Sequence, residues 1–148
     1  MTTIQAAMAD NHRFCDEFFI AAEQAAHSGD MTACRQQLEQ FAAELERHLQ
    51  LEEQSLFPRF EASTGMTAGP TAVMRMEHEQ MRELVAQMQA QAAAGDRNTF
   101  LGTAETLLIL MQQHNLKEEN VLYPMLDRVL AADAASLVQP ILTAGEHA

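Results

Sequence analysis

Two stretches of the sequence decide the fold: HLQLEEQSLFP at residues 48–58 and HNLKEENVLYP at residues 114–124. The second begins 66 residues after the first (114 minus 48) and repeats its His, Glu-Glu, Leu, aromatic and Pro positions. The same offset pairs residues over a longer span without any insertion or deletion: His12 with His78, His48 with His114, Glu52 with Glu118, and Glu53 with Glu119. A unit of this length that occurs twice predicts one domain made of two copies rather than an open repeat array.

The size and composition of the chain are those of a single domain with its own core. It has 148 residues, of which 47% are hydrophobic, and a chain of this kind buries enough apolar surface to fold without disulfides. We predict one domain over residues 1–148, built from helical-hairpin repeats at about 8–64 and 74–130. The formal net charge of −12 argues against a nucleic-acid partner, which needs a basic face, and suits the capture of cations.

Nothing in the sequence predicts a membrane or a secreted location. The longest uninterrupted apolar runs, such as Leu107–Met111, are far shorter than the roughly 20 residues that cross a bilayer. The opening MTTIQAAMADNHR lacks the basic segment and apolar stretch of a signal peptide. Two cysteines, Cys15 and Cys34, are too few for a disulfide framework, so we expect a cytoplasmic protein.

Apolar residues and histidines recur every three or four positions along four segments, which is the spacing of amphipathic helices. The first helix should cover about residues 2–28, and the second should run from a cap at Asp30 or Thr32 to Pro58. The third should begin near Thr71, after a loop at 63–70, and stop at Gly95; the fourth should run from a cap at Asp96 or Asn98 to Pro124. Both prolines should kink or end their helices.

The fold class predicted from these segments is all-α: an antiparallel up-down four-helix bundle with a twofold pseudo-axis between its halves. After Pro124, we expect a short C-terminal helical extension that covers one end of the bundle.

The repeated HxxxE pattern has a direct geometric meaning in a helix. Residues four apart lie one turn apart on the same face, so each pattern offers an imidazole nitrogen and a carboxylate to the same cavity. Adding the lone histidines of the first and third helices gives the predicted metal ligands: His12, His48, Glu52, His78, His114 and Glu118. Six such groups buried without a metal would be very costly.

The number and type of these ligands indicate two transition metals. Six protein ligands are too many for one zinc and suit two ions about 3.5–4 Å apart, bridged by carboxylates. Mixed imidazole and carboxylate ligands in a helical bundle favour iron, with manganese less favoured, over calcium or structural zinc. We predict two non-haem iron ions, with or without an oxo or hydroxo bridge, with Glu52 and Glu118 bridging. His12 and His48 would bind one ion, and His78 and His114 the other.

The two quoted stretches, each preceded by a helix with a lone histidine, resemble the hemerythrin-like, or HHE cation-binding, family over about residues 8–130. The resemblance implies an up-down four-helix bundle whose di-iron site meets O2 or related small oxidants, with the ligand role on the six residues above. Oxygen carriers of the family have a fifth histidine where this chain has Arg82, and a longer spacing to the last carboxylate. The four-His, two-Glu pattern resembles more closely the branch that repairs iron centres and handles nitric oxide.

The function expected from these features is a di-iron centre that interacts with O2, NO or peroxide, in sensing or in oxidative and nitrosative stress defence. One alternative is an enzyme or iron donor for NO reduction or iron-centre repair. Others are a reversible O2 carrier, an iron store, or an interaction bundle without metal. The expected partners are small ligands such as O2 or NO, and the oligomeric state is open.

Several neighbouring residues have two interpretations each. Glu53 and Glu119 point 140° away from the HxxxE histidines, so supporting or surface roles are favoured over ligation. Asp16 and Arg82 could hydrogen-bond to ligand histidines, pair across the axis, or simply be solvated. Cys15 is interpreted as a core residue rather than a redox-sensitive thiol. The remaining candidates are Tyr123, which either shapes the helix end or hydrogen-bonds near the metals, and two histidines expected to face solvent, His27 and His147.

Overall fold

A computed structural model describes residues 2–146, with side chains described for residues 2–142. Within that part of the chain every regular element is helical and no strand is present. The four long helices are α1 (Ile4–His27), α2 (Met31–Leu51), α4 (Pro70–Ala93) and α5 (Arg97–Lys117). The shorter ones are α3 (Phe57–Thr64), α6 (Tyr123–Leu130), α7 (Ala134–Leu137) and α8 (Gln139–Glu146). His147 lies outside the described residues.

The helix bounds themselves repeat with the 66-residue offset. Helix α1 corresponds residue for residue to α4, α2 to α5, and α3 to α6. The turns between the long helices also match, because Gly29 and Gly95 both have positive φ, 81° and 69°. Asp30 and Asp96 then cap α2 and α5, each accepting a backbone N–H three residues ahead. Equivalent turn chemistry therefore starts the second and fourth long helices at equivalent places.

The helices do not end at Pro58 or Pro124. Each proline lies in the first turn of a new helix, α3 or α6, where a missing N–H costs little. One wide π-helical turn, Glu52–Leu56 or Glu118–Leu122, joins it directly to the preceding long helix. The prolines therefore change the helices locally rather than terminate them, and each wide turn begins at a predicted metal ligand. Such π-turns are frequent at functional sites.

The long helices enclose a common interior as a helical bundle. Helix α1 contacts α2 and α5, and α4 contacts the same two helices. The C-terminal helices pack near the start of α1, where Val138 and Ile141 join Ile4 in one buried cluster. Within the described residues, no helix has both the length and the apolar character that a membrane crossing requires.

The interior contains two apolar clusters. One includes Phe19, Phe41, Phe100 and Leu107, and the other includes Ile4, Phe57, Phe60 and Leu126. Along α1 and α4, the predicted ligand histidine lies between a residue of one cluster and a residue of the other: His12 follows Met8 and precedes Cys15, and His78 follows Met74 and precedes Met81. The polar site therefore lies between the two apolar clusters, which shield it from solvent on both sides.

Two glycine-to-alanine substitutions should have opposite effects on stability. Gly95→Ala should lower the free energy of unfolding by about 1 kcal/mol or more, because alanine resists a positive φ. Gly102→Ala should raise it by about 0.5–1 kcal/mol, because alanine is the better helix former inside α5. A Cβ at either position meets no atom within 4 Å, so packing does not enter the comparison. Urea unfolding followed by circular dichroism measures both, and shifts of the same sign would contradict this account.

Candidate metal centre

The six predicted ligands lie together in the middle of the bundle. The histidines come from the four long helices, one from each, and each glutamate is the first residue of a π-helical turn. None of the six is more than 6% exposed: His12 6%, His48 1%, Glu52 0%, His78 0%, His114 1% and Glu118 0%. The sequence spacing that predicted a shared cavity thus corresponds to a shared buried cluster.

Each carboxylate faces one histidine from each half of the repeat. For Glu52, Oε1 lies 3.0 Å from His78 Nε2, and Oε2 lies 3.6 Å from His48 Nε2. For Glu118, Oε1 lies 3.1 Å from His12 Nε2 and 3.2 Å from His114 Nε2. Each carboxylate therefore lies between a histidine of one half and a histidine of the other.

The histidine rings form two pairs. The ring centroids of His12 and His48 are 4.6 Å apart, and those of His78 and His114 are 5.0 Å apart. Potential ligand atoms of Glu52, His78, His114 and Glu118 all lie within 4.8 Å of one another, as do those of His12, His48 and Glu118. Two adjacent positions for a cation result, which share Glu118.

An outer ring of acceptors forms hydrogen bonds with the Nδ1 atoms of the four imidazoles, the ring nitrogens that face away from the cluster. The Nδ1–H groups donate in the same way in both halves: His12 to Glu119 (2.7 Å), His78 to Glu53 (2.7 Å), His48 to Asn11 (2.7 Å) and His114 to Glu77 (2.8 Å). With Nδ1 protonated, each Nε2 is the atom that points to the centre. Such partners fix ring orientation and tautomer and raise the basicity of a ligand imidazole.

Two members of this outer ring were not predicted from the sequence. Asn11 and Glu77 are themselves related by the 66-residue offset and directly precede His12 and His78. Each reaches the histidine of the neighbouring helix rather than the one beside it in sequence. The 66-residue offset could have identified these two positions. Because one is an asparagine and the other a glutamate, they do not stand out as a repeated pair.

Four buried atoms at the His78/His114 position lack a well-aligned hydrogen bond, although Glu52 Oε1 and His78 Nε2 are only 3.0 Å apart: Glu52 Oε1, His78 Nε2, His114 Nε2 and Glu118 Oε2. Polar atoms in a dry interior cost free energy when they are left unpaired. Coordination to a cation would satisfy all four atoms at once. Imidazole nitrogens with carboxylate oxygens are also a donor set that iron and manganese accept, so these residues fit a transition-metal ion.

At the His12/His48 position the hydroxyl of Tyr123 lies among the histidine nitrogens and carboxylate oxygens that could bind an ion. It donates to Glu52 Oε2 at 2.6 Å and lies 2.8 Å from Glu118 Oε1. It is also 3.2 Å from the Nε2 atoms of both histidines. Tyr123 is fully buried, so the interpretation of this residue as a hydrogen-bonding group beside the metals agrees with its position.

Arg82 stands outside the cluster and acts on it through a carboxylate. Its guanidinium donates to Glu53 (2.9 Å), which accepts the Nδ1–H of His78. It also donates to Glu46 and to Glu79. The direct hydrogen bond to a ligand histidine that the sequence left open is not what Arg82 makes; it forms ion pairs with carboxylates, one of which holds a candidate ligand.

Asp16 and Cys15 have different environments although they are neighbours. Asp16 is half-buried and lines a surface groove of about 360 Å³ together with His12 and Glu119. Cys15 is buried, and burial followed by the charge of Glu44 raises the pKa of its thiol far above the usual range. A thiol that stays protonated is a poor nucleophile, which agrees with the interpretation of Cys15 as a core residue.

The charges of the cluster are balanced by protonation when no cation is bound. Burial by itself lowers the pKa of His12, but hydrogen bonds to Glu118 and Glu119 outweigh it and raise that pKa to about 9. Burial likewise opposes the charge on His114, and the carboxylates of Glu118, Glu52 and Glu77 raise its pKa to about 9. Protons on these imidazoles and a metal ion are therefore alternative sources of the same positive charge.

A family model described as "Hemerythrin HHE cation binding domain" matches residues 2–126. The matched region contains all six predicted ligands and both HxxxE stretches, and it confirms the resemblance identified from those motifs. No curated protein and no solved structure matches the chain.

The raised pKa values predict how stability and metal affinity depend on pH. Because the folded pKa of His12 and His114 exceeds the unfolded value of 6.5, their stabilisation is complete below about pH 6.5. It is lost as pH rises towards 9. The free energy of unfolding of the chelator-treated protein should therefore fall across this window, while affinity for a divalent ion should rise. Urea unfolding and metal titration at several pH values measure the two trends.

The double variant His12→Gln/His114→Gln should flatten the pH dependence of stability. His27→Gln is the matched control, since His27 is exposed near the end of α1 and its replacement should leave the slope unchanged. A wild-type protein whose stability rises between pH 6.5 and 9 would contradict the assignment.

Proposed function

The chain belongs to the hemerythrin family of HHE cation-binding domains, and on that premise we propose that its buried cluster holds two non-haem iron ions. The observation that carries the proposal is the convergence of four imidazoles and two carboxylates in a dry interior, with four of their atoms lacking hydrogen bonds. Two cations would neutralise the two buried carboxylates and coordinate the atoms that lack hydrogen bonds. Iron suits this donor set, with manganese as the less favoured substitute.

In the proposed centre, His12 and His48 hold one ion and His78 and His114 the other. Glu52 and Glu118 bridge them, which is supported by the approach of each carboxylate to a histidine of each pair. Glu53, Glu77, Glu119 and Asn11 act behind the histidines by holding the Nδ1 protons. The centre is thus supported by a second layer of groups that fixes ring orientation before any ion arrives.

Bound iron would supply electrons and open coordination positions for O2, NO or peroxide. The chain itself provides a small space for such a ligand: a cavity of about 10 Å³, lined in part by Cys15, Met81 and Met111, adjoins His12, His48 and His114. This volume is comparable to that needed for one water molecule. Because its walls are largely apolar, the cavity favours small, weakly polar molecules over larger substrates.

We assign the centre to sensing or to defence against oxidative and nitrosative stress. The observation that favours this role over reversible oxygen carriage is the position of Arg82. It occupies the sequence position of the fifth histidine of oxygen carriers, but it is a permanent cation bound to carboxylates outside the cluster. A guanidinium cannot ligate a metal, so the protein supplies fewer ligands and leaves more positions to exogenous molecules.

The proposal includes an antiparallel up-down arrangement of the four long helices within one domain over residues 1–148. Three residues separate α1 from α2 and α4 from α5, and such short connections between helices in contact favour a reversal of direction. We also place the protein in a reducing compartment, the cytoplasm. Supporting that choice, Cys15 and Cys34 are both free and buried. The net charge of −12 supports the absence of a nucleic-acid partner.

Anaerobic loading with Fe(II), followed by removal of excess metal, should leave two irons per chain by elemental analysis. His48→Ala and His114→Ala should each reduce that content, and added iron should raise the melting temperature of the wild type much more than that of either variant. His27→Ala is the matched control and should retain two irons. A wild type that neither retains iron nor gains stability from it would refute the proposed function.

Consumption of NO or peroxide by the iron-loaded protein separates the sensing role from catalysis. A sensor or carrier should stop after about one equivalent per centre. An enzyme should continue to consume the oxidant as long as a reductant is present. Ready loss of iron to a chelator would instead favour storage or iron donation.

Removing the carboxylate behind one histidine should weaken metal binding without removing a ligand. Glu119→Ala should reduce affinity for the ion at the His12/His48 position by about 10–100-fold, the usual effect of losing such a partner, because His12 loses its Nδ1 acceptor. Glu79→Ala is the control, since this exposed carboxylate contacts Arg82 and no histidine of the cluster. Competition with a chromogenic chelator measures both, and equal effects would contradict the role of Glu119.

A further inference from the structure

The two halves of the chain share one frame but differ in side chains that contact the candidate ligands. Tyr123 in the second half corresponds to Phe57 in the first, and Glu77 corresponds to Asn11. Both rings lie at equivalent places, since Phe57 stacks on His78 and Tyr123 on His12, each with centroids 5.7 Å apart. The difference is therefore chemical rather than positional: one candidate ion position has a phenol beside it and the other has a plain phenyl ring.

The His78/His114 position is ready for an ion. Glu52 Oε1, His78 Nε2, His114 Nε2 and Glu118 Oε2 are buried there, and Tyr123 is hydrogen-bonded to none of them. No tyrosine hydroxyl therefore has to move when these four atoms coordinate an ion. Two carboxylates stand behind the histidines: Glu53, bonded to Arg82, and Glu77, bonded to Lys117. Imidazoles that donate to carboxylates are better electron donors than one that donates to a neutral amide.

The His12/His48 position is not ready in the same sense. One oxygen atom, the Tyr123 hydroxyl, lies 2.6–3.2 Å from four of the atoms that an ion would contact there: His12 Nε2, His48 Nε2, Glu52 Oε2 and Glu118 Oε1. An ion that binds between these atoms takes the space of that hydroxyl. The neutral Asn11 behind His48 also makes this imidazole the weaker donor.

We infer that Tyr123 makes the two positions unequal, so that the first metal ion binds at His78/His114 and the second binds at His12/His48 only when the phenol is displaced. The inference rests on the proposed function, because it assigns an order of loading to that same centre. It gives the chain a stable state with one ion, from which the second ion is gained or lost selectively. When the phenol is displaced, Tyr123 loses its hydrogen bonds to charged groups. That loss sets the difference in affinity between the two positions.

Calorimetric titration of the metal-free protein with Co²⁺ under anaerobic conditions tests the order without any measurement of activity. The wild type should bind two ions with dissociation constants that differ by about tenfold or more. His78→Ala should abolish the tight event, and His12→Ala should preserve it and abolish the weak one. These two variants identify which position fills first.

Tyr123→Phe should tighten the weak event by about tenfold or more and bring the two dissociation constants together. Phe57→Tyr is the matched variant, since it places a phenol beside the other position and should weaken the tight event. The double exchange Tyr123→Phe/Phe57→Tyr should transfer the order to the opposite position. Circular dichroism checks that each variant folds. If Tyr123→Phe fails to fold, Phe57→Tyr still tests the inference.

The outcomes separate the inference from the function on which it rests. A wild type that binds no divalent ion would refute the metal centre itself. Two ions bound with equal affinity, or a tight event that survives in His78→Ala, would refute the order alone. Unequal binding that Tyr123→Phe leaves unchanged would show that the phenol is not its cause.

Discussion

The structure depends on the need to neutralise two carboxylates that have no access to water. Glu52 and Glu118 are fully buried, and an unpaired charge in such a place costs several kcal/mol. The groups that surround them are four histidines and one phenol, so the compensating positive charge comes from protons on the imidazoles or from metal ions. The raised pKa of His12 and His114 is the metal-free expression of that need. In the proposed centre, bound cations would take the place of these protons.

Hydrogen bonds and ion pairs connect the central cluster to charged side chains nearer the surface. Each histidine points Nε2 to the cluster and donates a hydrogen bond from Nδ1–H to an outer acceptor. In one half of the cluster those acceptors are carboxylates that meet Arg82 and Lys117 nearer the solvent. In the other half, Asn11 and the Tyr123 hydroxyl replace part of that pattern. A repeated backbone thus surrounds two candidate metal positions with different side chains, which a strict duplication would not provide.

The sequence allowed much of the fold to be predicted, because the features concerned are local. Gly29 and Gly95 mark the turns, Asp30 caps α2 where it was expected to do so, and the loop between the halves falls at residues 65–69. The prolines were harder to interpret, because their effect depends on what the chain does around them. A π-helical turn lets each helix continue past Pro58 and Pro124, and no local preference of these residues predicts that wide turn.

The six candidate ligands followed from the sequence because helical spacing is enough to put His and Glu four residues apart on one face. Their mutual distances, the outer partners Asn11 and Glu77, and the Tyr123 hydroxyl among four ligand atoms required the tertiary structure. Several of these contacts join residues that are 37 or more positions apart, such as His48 with Asn11 and Tyr123 with Glu52. The sequence by itself therefore determined which side chains face the interior, through the helical period and the repeat. Only the packing of one helix against another decided which of those side chains meet, because contacts between helices depend on how they are placed in space.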